Sequence, residues 1–141
     1  MTDRPDLFAA VISQVGVMNN LRAEFAQNGP PNIPEFGSVK TPDGFKGLYA
    51  MDSYHHVKDH EKYPAMLLTT GMTDPRVDPW QAAKMTARMQ RASESGKPIL
   101  LRVDFQAGHG VGSTREQRDQ EFADIFAFAL WQSGIPGYQP A

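Results

Sequence analysis

The sequence contains no cysteine, no long apolar run and no strong excess of either charge. A chain without cysteine forms neither a disulfide framework nor a thiolate metal site, and it suits the cytosol and the bacterial periplasm equally. No segment approaches the roughly 18–20 apolar residues that a membrane span requires, and the first ten residues lack the basic and apolar regions of a signal peptide. With a net charge of −2, binding to nucleic acid is not expected either.

The composition is that of an ordinary globular protein, with 40% hydrophobic and 21% charged residues. A length of 141 residues predicts one domain, covering residues 1–141, with a core of useful size. No part of the sequence implies a cofactor.

Residues 63–132 organise the chain in the order strand, loop, helix, strand, loop, helix. The apolar run Ala65–Gly71 precedes a loop with Asp74, and the run Ile99–Phe105 precedes a loop with His109. A right-handed crossover between two parallel strands places both loops at the same edge of the sheet. The pattern predicts an α/β fold, with parallel strands flanked by helices and its chemistry at that edge.

The first third of the chain is less regular. Phe8–Gly16 is a short apolar run that predicts a buried strand, and Val17–Gln27 predicts a short helix. Asn28–Val39 is rich in proline and glycine and is expected to be an irregular loop. Thr41 resembles an N-cap that is followed by Pro at the first helical position, so a helix is predicted over 42–57.

Two later helices have clear start and stop signals. Asp78 is a candidate N-cap for a helix that ends before Gly96, and Thr114–Gln117 has the pattern of a capping box. Helical spacing predicts that each helix buries an apolar stripe. The first stripe comprises Trp80, Ala83 and Ala87, with Met85 and Met89 beside them. The second comprises Phe122, Ile125, Phe126, Ala129 and Leu130.

His109 and Asp74 are the candidate reactive residues. His109 lies between two glycines just after a strand, where the flanking glycines favour exposure and a close backbone approach. Asp74 precedes Pro75 and could equally serve turn formation, and Asp78 competes with it as the functional acid. The order of acid and then histidine, each after a strand, matches the last two members of the Ser…Asp…His order of α/β-hydrolases.

The serine of such a triad is not in this sequence. The nucleophile of an α/β-hydrolase lies in the pattern G-x-S-x-G, which does not occur here. Ser113 comes nearest to the pattern, but it follows His109 and lies at the start of a predicted helix. His55, His56 and His60 suggest a metal site at first sight, but they lack further ligands at suitable spacing, so a solvated helix end is favoured and no metal is expected.

Five segments, in this order, resemble the C-terminal part of the prolyl oligopeptidase family of serine peptidases. They are Arg4-Pro-Asp-Leu-Phe8, Val15-Gly-Val17, Tyr63-Pro-Ala-Met-Leu-Leu68, Asp74-x-Arg76-Val77 and Ala107-Gly-His-Gly110. The resemblance implies the C-terminal half of an α/β-hydrolase domain. It also implies that the chain starts just downstream of the nucleophile serine, so that the β-propeller and the first part of the sheet are absent.

The resemblance also implies a role for particular residues. Asp74 would be the triad acid and His109 the general base, while Arg76 would hydrogen-bond a substrate carbonyl or, alternatively, form a surface ion pair. Val17, Phe36 and Val77 match positions that line the pocket for the residue before the scissile bond. In addition, Asn32 occupies the position of a tryptophan that stacks on the substrate proline, so a strict preference for proline is not implied.

Two functions are compatible with these residues. The first is the C-terminal part of a serine peptidase that hydrolyses short peptides through a Ser-Asp-His triad and is inactive without the missing N-terminal part of the catalytic domain. The second is a non-catalytic module that self-associates, because the first strand has lost its inner neighbour and exposes an edge that can pair. A homo-oligomer is expected in the second case.

Overall fold

The computed structural model describes residues 1–110 and 113–140, and its centre is a three-stranded sheet. The strands are β1 (Ala10–Gln14), β2 (Ala65–Gly71) and β3 (Ile99–Asp104), in the order β1-β2-β3. Both pairings are parallel. The predicted α/β fold with parallel strands is therefore confirmed.

Five α-helices accompany the sheet in the described part of the chain. They are α1 (Asn20–Ala23), α2 (Ile33–Phe36), α3 (Pro42–Met51), α4 (Trp80–Ala92) and α5 (Arg115–Gln132). Two short 3-10 turns, Pro5–Leu7 and Pro30–Asn32, complete the regular structure there. Among these helices, none combines the length and the apolar character that crossing a bilayer would require.

The central strand β2 is buried along its whole length, so it contributes side chains to two cores. Because successive side chains of a strand point to opposite faces, alternate residues of β2 meet different helices. One face packs against α4 in a cluster that includes Met66, Leu68, Met85, Met89 and Ile99. The other face packs against α5 in a smaller cluster of Ala65, Leu67 and Phe128. The two helices thus cover opposite faces of the sheet.

Both predicted threonine caps are present. The Thr41 hydroxyl accepts a hydrogen bond from the Gly44 N–H at 3.2 Å. The Thr114 hydroxyl accepts from the Gln117 N–H at 3.1 Å, while the Gln117 side chain accepts from the Thr114 N–H at 2.7 Å. These bonds satisfy N–H groups that the first turn of a helix leaves free, and they fix where α3 and α5 begin.

The first third of the chain departs from the predictions in three places. The strand predicted as buried is the half-exposed β1, because it has a neighbour on one side only within the described residues. The segment predicted as an irregular loop contains a 3-10 turn and α2, since proline fits the first turn of a helix. The helix predicted over 42–57 ends at Met51, because the buried Asp52 carboxylate accepts from the backbone N–H groups of Leu21 and His55.

The helix faces also differ from the predicted stripes. On α4, Ala83 and Ala87 are exposed, and the buried side includes Ala82, Met85 and Met89. On α5, Phe122 and Phe126 are exposed while Phe128 is buried. Asp78 does not cap α4 with its side chain, because that carboxylate accepts from the indole N–H of Trp80 at 2.9 Å.

Candidate active site

Two loops meet at the carboxyl ends of β2 and β3. We call residues 72–79 the Asp loop and residues 105–110 the His loop. Gly71 lies where they touch, since a Cβ added there would be 2.3 Å from the Gly108 carbonyl oxygen and 2.4 Å from that of Ala107. Only glycine allows two backbones to approach so closely. The contact places the two loops side by side.

Hydrogen bonds between the loops reinforce this contact. The carbonyl of Ala107 accepts from the Thr73 N–H at 3.2 Å and from the Thr73 hydroxyl at 3.0 Å. The N–H of Met72 donates to the carbonyl of Asp104 at 2.8 Å. The loops are therefore fixed to each other largely through main-chain groups, and the Thr73 hydroxyl adds one side-chain bond.

Asp74 is buried, and both of its carboxylate oxygens have partners. Oδ1 accepts from the backbone N–H groups of Arg76 at 2.8 Å and Val77 at 3.0 Å. Oδ2 lies 2.8 Å from Nδ1 of His109. The turn that follows Asp74 thus holds one oxygen in place and leaves the other for the imidazole.

His109 has 24% of its side chain exposed, whereas the Asp74 side chain is fully covered. The prediction that these two side chains are neighbours at one edge of the sheet is confirmed. With Nδ1–H donating to the carboxylate, Nε2 is the ring nitrogen that remains free to accept a proton. A histidine oriented in this way by a buried carboxylate is able to act as a general base and then as a general acid.

Arg76 and Val77 follow Asp74 but have different surroundings. Arg76 is exposed and lines a groove with His109 and Gln106. No carboxylate lies within 4.0 Å of its guanidinium in the described part of the chain, so the alternative of an ion pair with Asp74 or Asp78 is not observed. The half-buried Val77 contributes its N–H to Asp74.

Val17 and Phe36 line a separate cavity of about 150 Å³, which we call the Val17–Phe36 cavity. Asn32 also lines it, together with residues of α1, α2 and α3. The cavity and the groove beside His109 share no lining residue, and Val77 lines neither. The structure therefore brings Val17 and Phe36 together, and Arg76 and His109 together, as two groups.

Sequence reasoning missed Glu24, which also lines the Val17–Phe36 cavity and is only 8% exposed. It lies in a mainly polar stretch between Asn19 and Asn28, where a glutamate is normally solvated. No motif or spacing marks it. A segment 15 residues away contacts it, because Val39 donates its N–H to Glu24 Oε2 at 3.1 Å.

Each of the other three histidines lies beside a different carboxylate. His55 pairs with Asp52, His56 lies 3.8 Å from Asp3, and His60 pairs with Glu94. In residues 1–110 and 113–140, no group of three or more acidic or histidine side chains is arranged to hold a metal ion. Each of these histidines has its own carboxylate.

A parallel sheet with an acid and a histidine after successive strands is the arrangement of an α/β-hydrolase domain. A profile of the prolyl oligopeptidase family matches residues 1–135. The chain therefore belongs to the prolyl oligopeptidase family, whose members are serine peptidases.

Individual relatives agree with this assignment. The chain is 37% identical to the prolyl endopeptidase of Dictyostelium discoideum over 89% of its own length, and 34% identical to that of Elizabethkingia miricola over 96%. A solved structure from a study of two prolyl endopeptidases superimposes on 92% of the chain with a TM-score of 0.88 and 35% identity.

All of these matches cover a small part of the relative. The chain spans 17% of the Dictyostelium protein, 19% of the Elizabethkingia protein and 19% of the solved chain. It therefore corresponds to roughly one fifth of each of these proteins.

Proposed function

We propose that this chain supplies the acid, the base and part of the substrate pocket of a serine peptidase that hydrolyses short peptides. The nucleophilic serine would come from polypeptide outside these 141 residues, because the sequence contains no G-x-S-x-G pattern. On its own, the chain would not turn over peptides.

The observation that carries this proposal is the 2.8 Å contact between Asp74 Oδ2 and His109 Nδ1. In the proposed reaction, Nε2 of His109 takes the serine proton as the serine oxygen bonds to the peptide carbonyl carbon. The same nitrogen then returns the proton to the leaving nitrogen as the C–N bond breaks. Asp74 keeps the imidazole in the required tautomer and stabilises its protonated form.

Substrate binding is assigned to Arg76 and to the Val17–Phe36 cavity. The Arg76 guanidinium is exposed beside His109 and has no carboxylate partner in the described ranges, so its N–H groups are available to a substrate carbonyl. The apolar side chains of Val17 and Phe36 suit the residue before the scissile bond. Val77 would complete this pocket after the rest of the enzyme is in place.

A chimera tests the catalytic roles directly. In it, this chain replaces the matching segment of the Elizabethkingia miricola prolyl endopeptidase, and release of p-nitroaniline from a short peptide anilide is measured. His109→Ala and Asp74→Asn are each expected to lower kcat by about 10³-fold or more. His60→Ala, which alters an exposed histidine bound to Glu94, is the matched control. A chimera that is active and insensitive to His109→Ala would refute the assignment.

The predicted inactivity of the isolated chain has its own test. Incubation with a fluorophosphonate probe, followed by intact mass spectrometry, is expected to leave every serine unlabelled. Stoichiometric labelling of one serine that disappears when that serine is replaced by alanine would contradict the proposal.

A second candidate function, self-association, is favoured by the surface beside β1. Within the described residues β1 pairs only with β2, and its sequence AVISQ carries no charge to discourage pairing at its other edge. Arg102 of β3 binds Asp124 on one side of α5, and helical spacing puts the exposed Phe122 and Phe126 on the opposite side, where they form an apolar patch.

Light scattering coupled to size-exclusion chromatography separates this candidate from the first. Self-association predicts a dimer that Phe126→Asp converts into a monomer, with Phe45→Asp, a change at another exposed phenylalanine, as the control. A monodisperse monomer at high concentration would exclude the second function and leave the first untouched.

A further inference from the structure

An open cleft between α1 and α4 brings together basic side chains, and no acid is among the described residues that line it. The cleft has a volume of about 430 Å³, and we call it the Arg22–Lys84 cleft. Its lining residues come from three segments of the chain: Asn19, Arg22, Tyr54, His55, Trp80 and Lys84. None of them lines the groove beside His109 or the Val17–Phe36 cavity, so the cleft is a separate surface.

Buried hydrogen bonds hold the three segments of the cleft together. Oε1 of the buried Gln81 accepts from the backbone N–H groups of Met18 at 3.0 Å and Asn19 at 2.7 Å. The N–H of Tyr54 donates to the carbonyl of Met18 at 2.9 Å. These bonds tie the start of α1 both to α4 and to the segment after α3, so the shape of the cleft is set by the fold.

Two permanent cations, Lys84 and Arg22, line the cleft. Nζ of Lys84 lies 4.5 Å from the centre of the Tyr54 ring and 5.3 Å from that of the Trp80 ring. Aromatic faces attract a cation but do not neutralise its charge. In the described ranges no carboxylate lies within 4.0 Å of Lys84 or Arg22. An anion in the cleft would therefore be attracted by both cations.

His55 adds a third basic group, and the acids close to the cleft are already engaged. Nδ1 of His55 lies 2.9 Å from Oδ1 of Asp52, a fully covered carboxylate that also accepts from the N–H of Leu21. This contact leaves Nε2 of the imidazole for a ligand, to which it donates when the ring is protonated. The carboxylate of Asp78 accepts from the indole N–H of Trp80.

This set of groups suits a phosphate group better than a carboxylate. The guanidinium of Arg22 has the fork that bonds two phosphate oxygens, and the ammonium of Lys84 acts as a point charge. A phosphate monoester offers three strong acceptor oxygens and close to two negative charges at neutral pH, whereas a carboxylate offers two oxygens and one charge. The volume of the cleft lies within the range of roughly 300–1,000 Å³ that is typical of small-molecule sites.

We propose that the Arg22–Lys84 cleft is a binding site for a phosphate group, either free or carried by a small organic molecule. Lys84 and Arg22 bind the phosphate oxygens, and His55 assists them. None of the residues assigned to peptide hydrolysis takes part, so the site is tested without any turnover.

Binding is measured on the chain itself by NMR, with phenyl phosphate, inorganic phosphate and acetate as probes at neutral pH and constant ionic strength. The readout is the shift of the indole N–H signal of Trp80 and of the backbone N–H signal of Arg22. Phenyl phosphate is expected to bind at least about ten-fold more tightly than acetate, as for an additional hydrogen bond between charged groups. Tighter binding of phenyl phosphate than of inorganic phosphate would assign the site to an ester, and the reverse order to the free anion.

Two variants test the residues that bind the phosphate group. Lys84→Gln and Arg22→Gln are each expected to weaken the binding of phenyl phosphate by about ten-fold. Lys46→Gln is the matched control, because it removes the same charge from a side chain of α3 that is 78% exposed, and it should leave the affinity within about two-fold. If a variant failed to fold, the ratio of the phenyl phosphate and acetate affinities of the natural chain would still decide the question.

Three results would overturn the inference. The first is equal affinity for phenyl phosphate and acetate, and the second is no shift of the Trp80 and Arg22 signals with either phosphate. The third is an equal loss of affinity in Lys46→Gln and Lys84→Gln, which would mean that only the overall charge of the chain matters. An inactive chimera would refute the proposed function and leave this result unchanged.

Discussion

The two loops that carry Asp74 and His109 and the cavity lined by Val17 and Phe36 are built from different kinds of contact. The loops extend from two paired strands and are joined by main-chain hydrogen bonds, with Gly71 allowing their backbones to touch. The cavity is formed by α1, α2, α3 and a 3-10 turn, and among these elements only α3 has a buried residue, Leu48. Its segments are tied together mainly through side chains, such as those of Glu24 and Asp52.

Because of this difference, a substitution is expected to affect the two regions in different ways. The loops that carry Asp74 and His109 are held together mainly by main-chain contacts, so the position of this pair is set largely by the fold. The cavity has no such support, and one substitution at position 24 changes its charge. The paired side chains and the cavity are therefore maintained by different parts of the chain.

The largest effect is expected from Gly71→Ala. The new methyl group would collide with two carbonyl oxygens of the His loop, and overpacking of this kind should cost about 3 kcal/mol in the free energy of unfolding. Urea denaturation measures the loss, and the NMR signals of the His109 ring report its displacement from Asp74. Gly47→Ala is the control, because a Cβ there meets nothing within 4 Å and should stabilise α3 by about 0.5–1 kcal/mol.

A smaller effect is expected from Gly29→Ala in the wall of the cavity. A Cβ at this position would be 2.1 Å from the Ala23 carbonyl oxygen, which is as close as the contacts at Gly71. Because α1 and the adjacent 3-10 turn are short and bury no residue, they can shift, and we expect a cost of about 1–2 kcal/mol. If urea denaturation gave the same loss for Gly29→Ala as for Gly71→Ala, the contrast between the two regions would be wrong.

The smallest effect is expected at Asp59, which lies outside both regions. A hydrogen bond from Arg88 lowers the pKa of Asp59 below its ordinary value of 3.8. A lowered pKa in the folded state means that the stabilisation is present above about pH 3.8 and is lost as the pH falls through the lowered pKa. Asp59→Asn should therefore lower the Tm slightly at pH 6, and the two Tm values should converge as the pH falls below the lowered pKa of Asp59. A constant difference at all pH values would show that the ion pair is not its cause.

The local features of the fold were predictable from sequence. The threonine caps of α3 and α5 depend on groups three residues apart, so their patterns suffice. The pairing of Asp74 with His109 was predictable for another reason: two parallel strands with a right-handed connection leave their following loops at one edge. The rule for right-handed connections was therefore sufficient to predict that these two loops lie together, without the tertiary structure.

Burial was less predictable, because it depends on what lies against each surface. Phe122 and Phe126 have the spacing of a core stripe, yet only Phe128 of α5 is fully covered. β1 has the composition of an inner strand, but it is half-exposed at the edge of the described sheet. A sequence pattern identifies the apolar side of a helix or strand, whereas the neighbouring elements determine whether that side is buried.

The sequence by itself determined the family, the parallel strands and the acid–histidine pair, since each depends on motifs or on connections of fixed handedness. Only the tertiary structure decided that Glu24 is enclosed beside Val17 and Phe36, where one of its carboxylate oxygens has no hydrogen-bond partner among the described residues. The physical reason is that the burial of a charge results from segments distant in sequence folding over it. No local sequence pattern therefore predicts that Glu24 is buried.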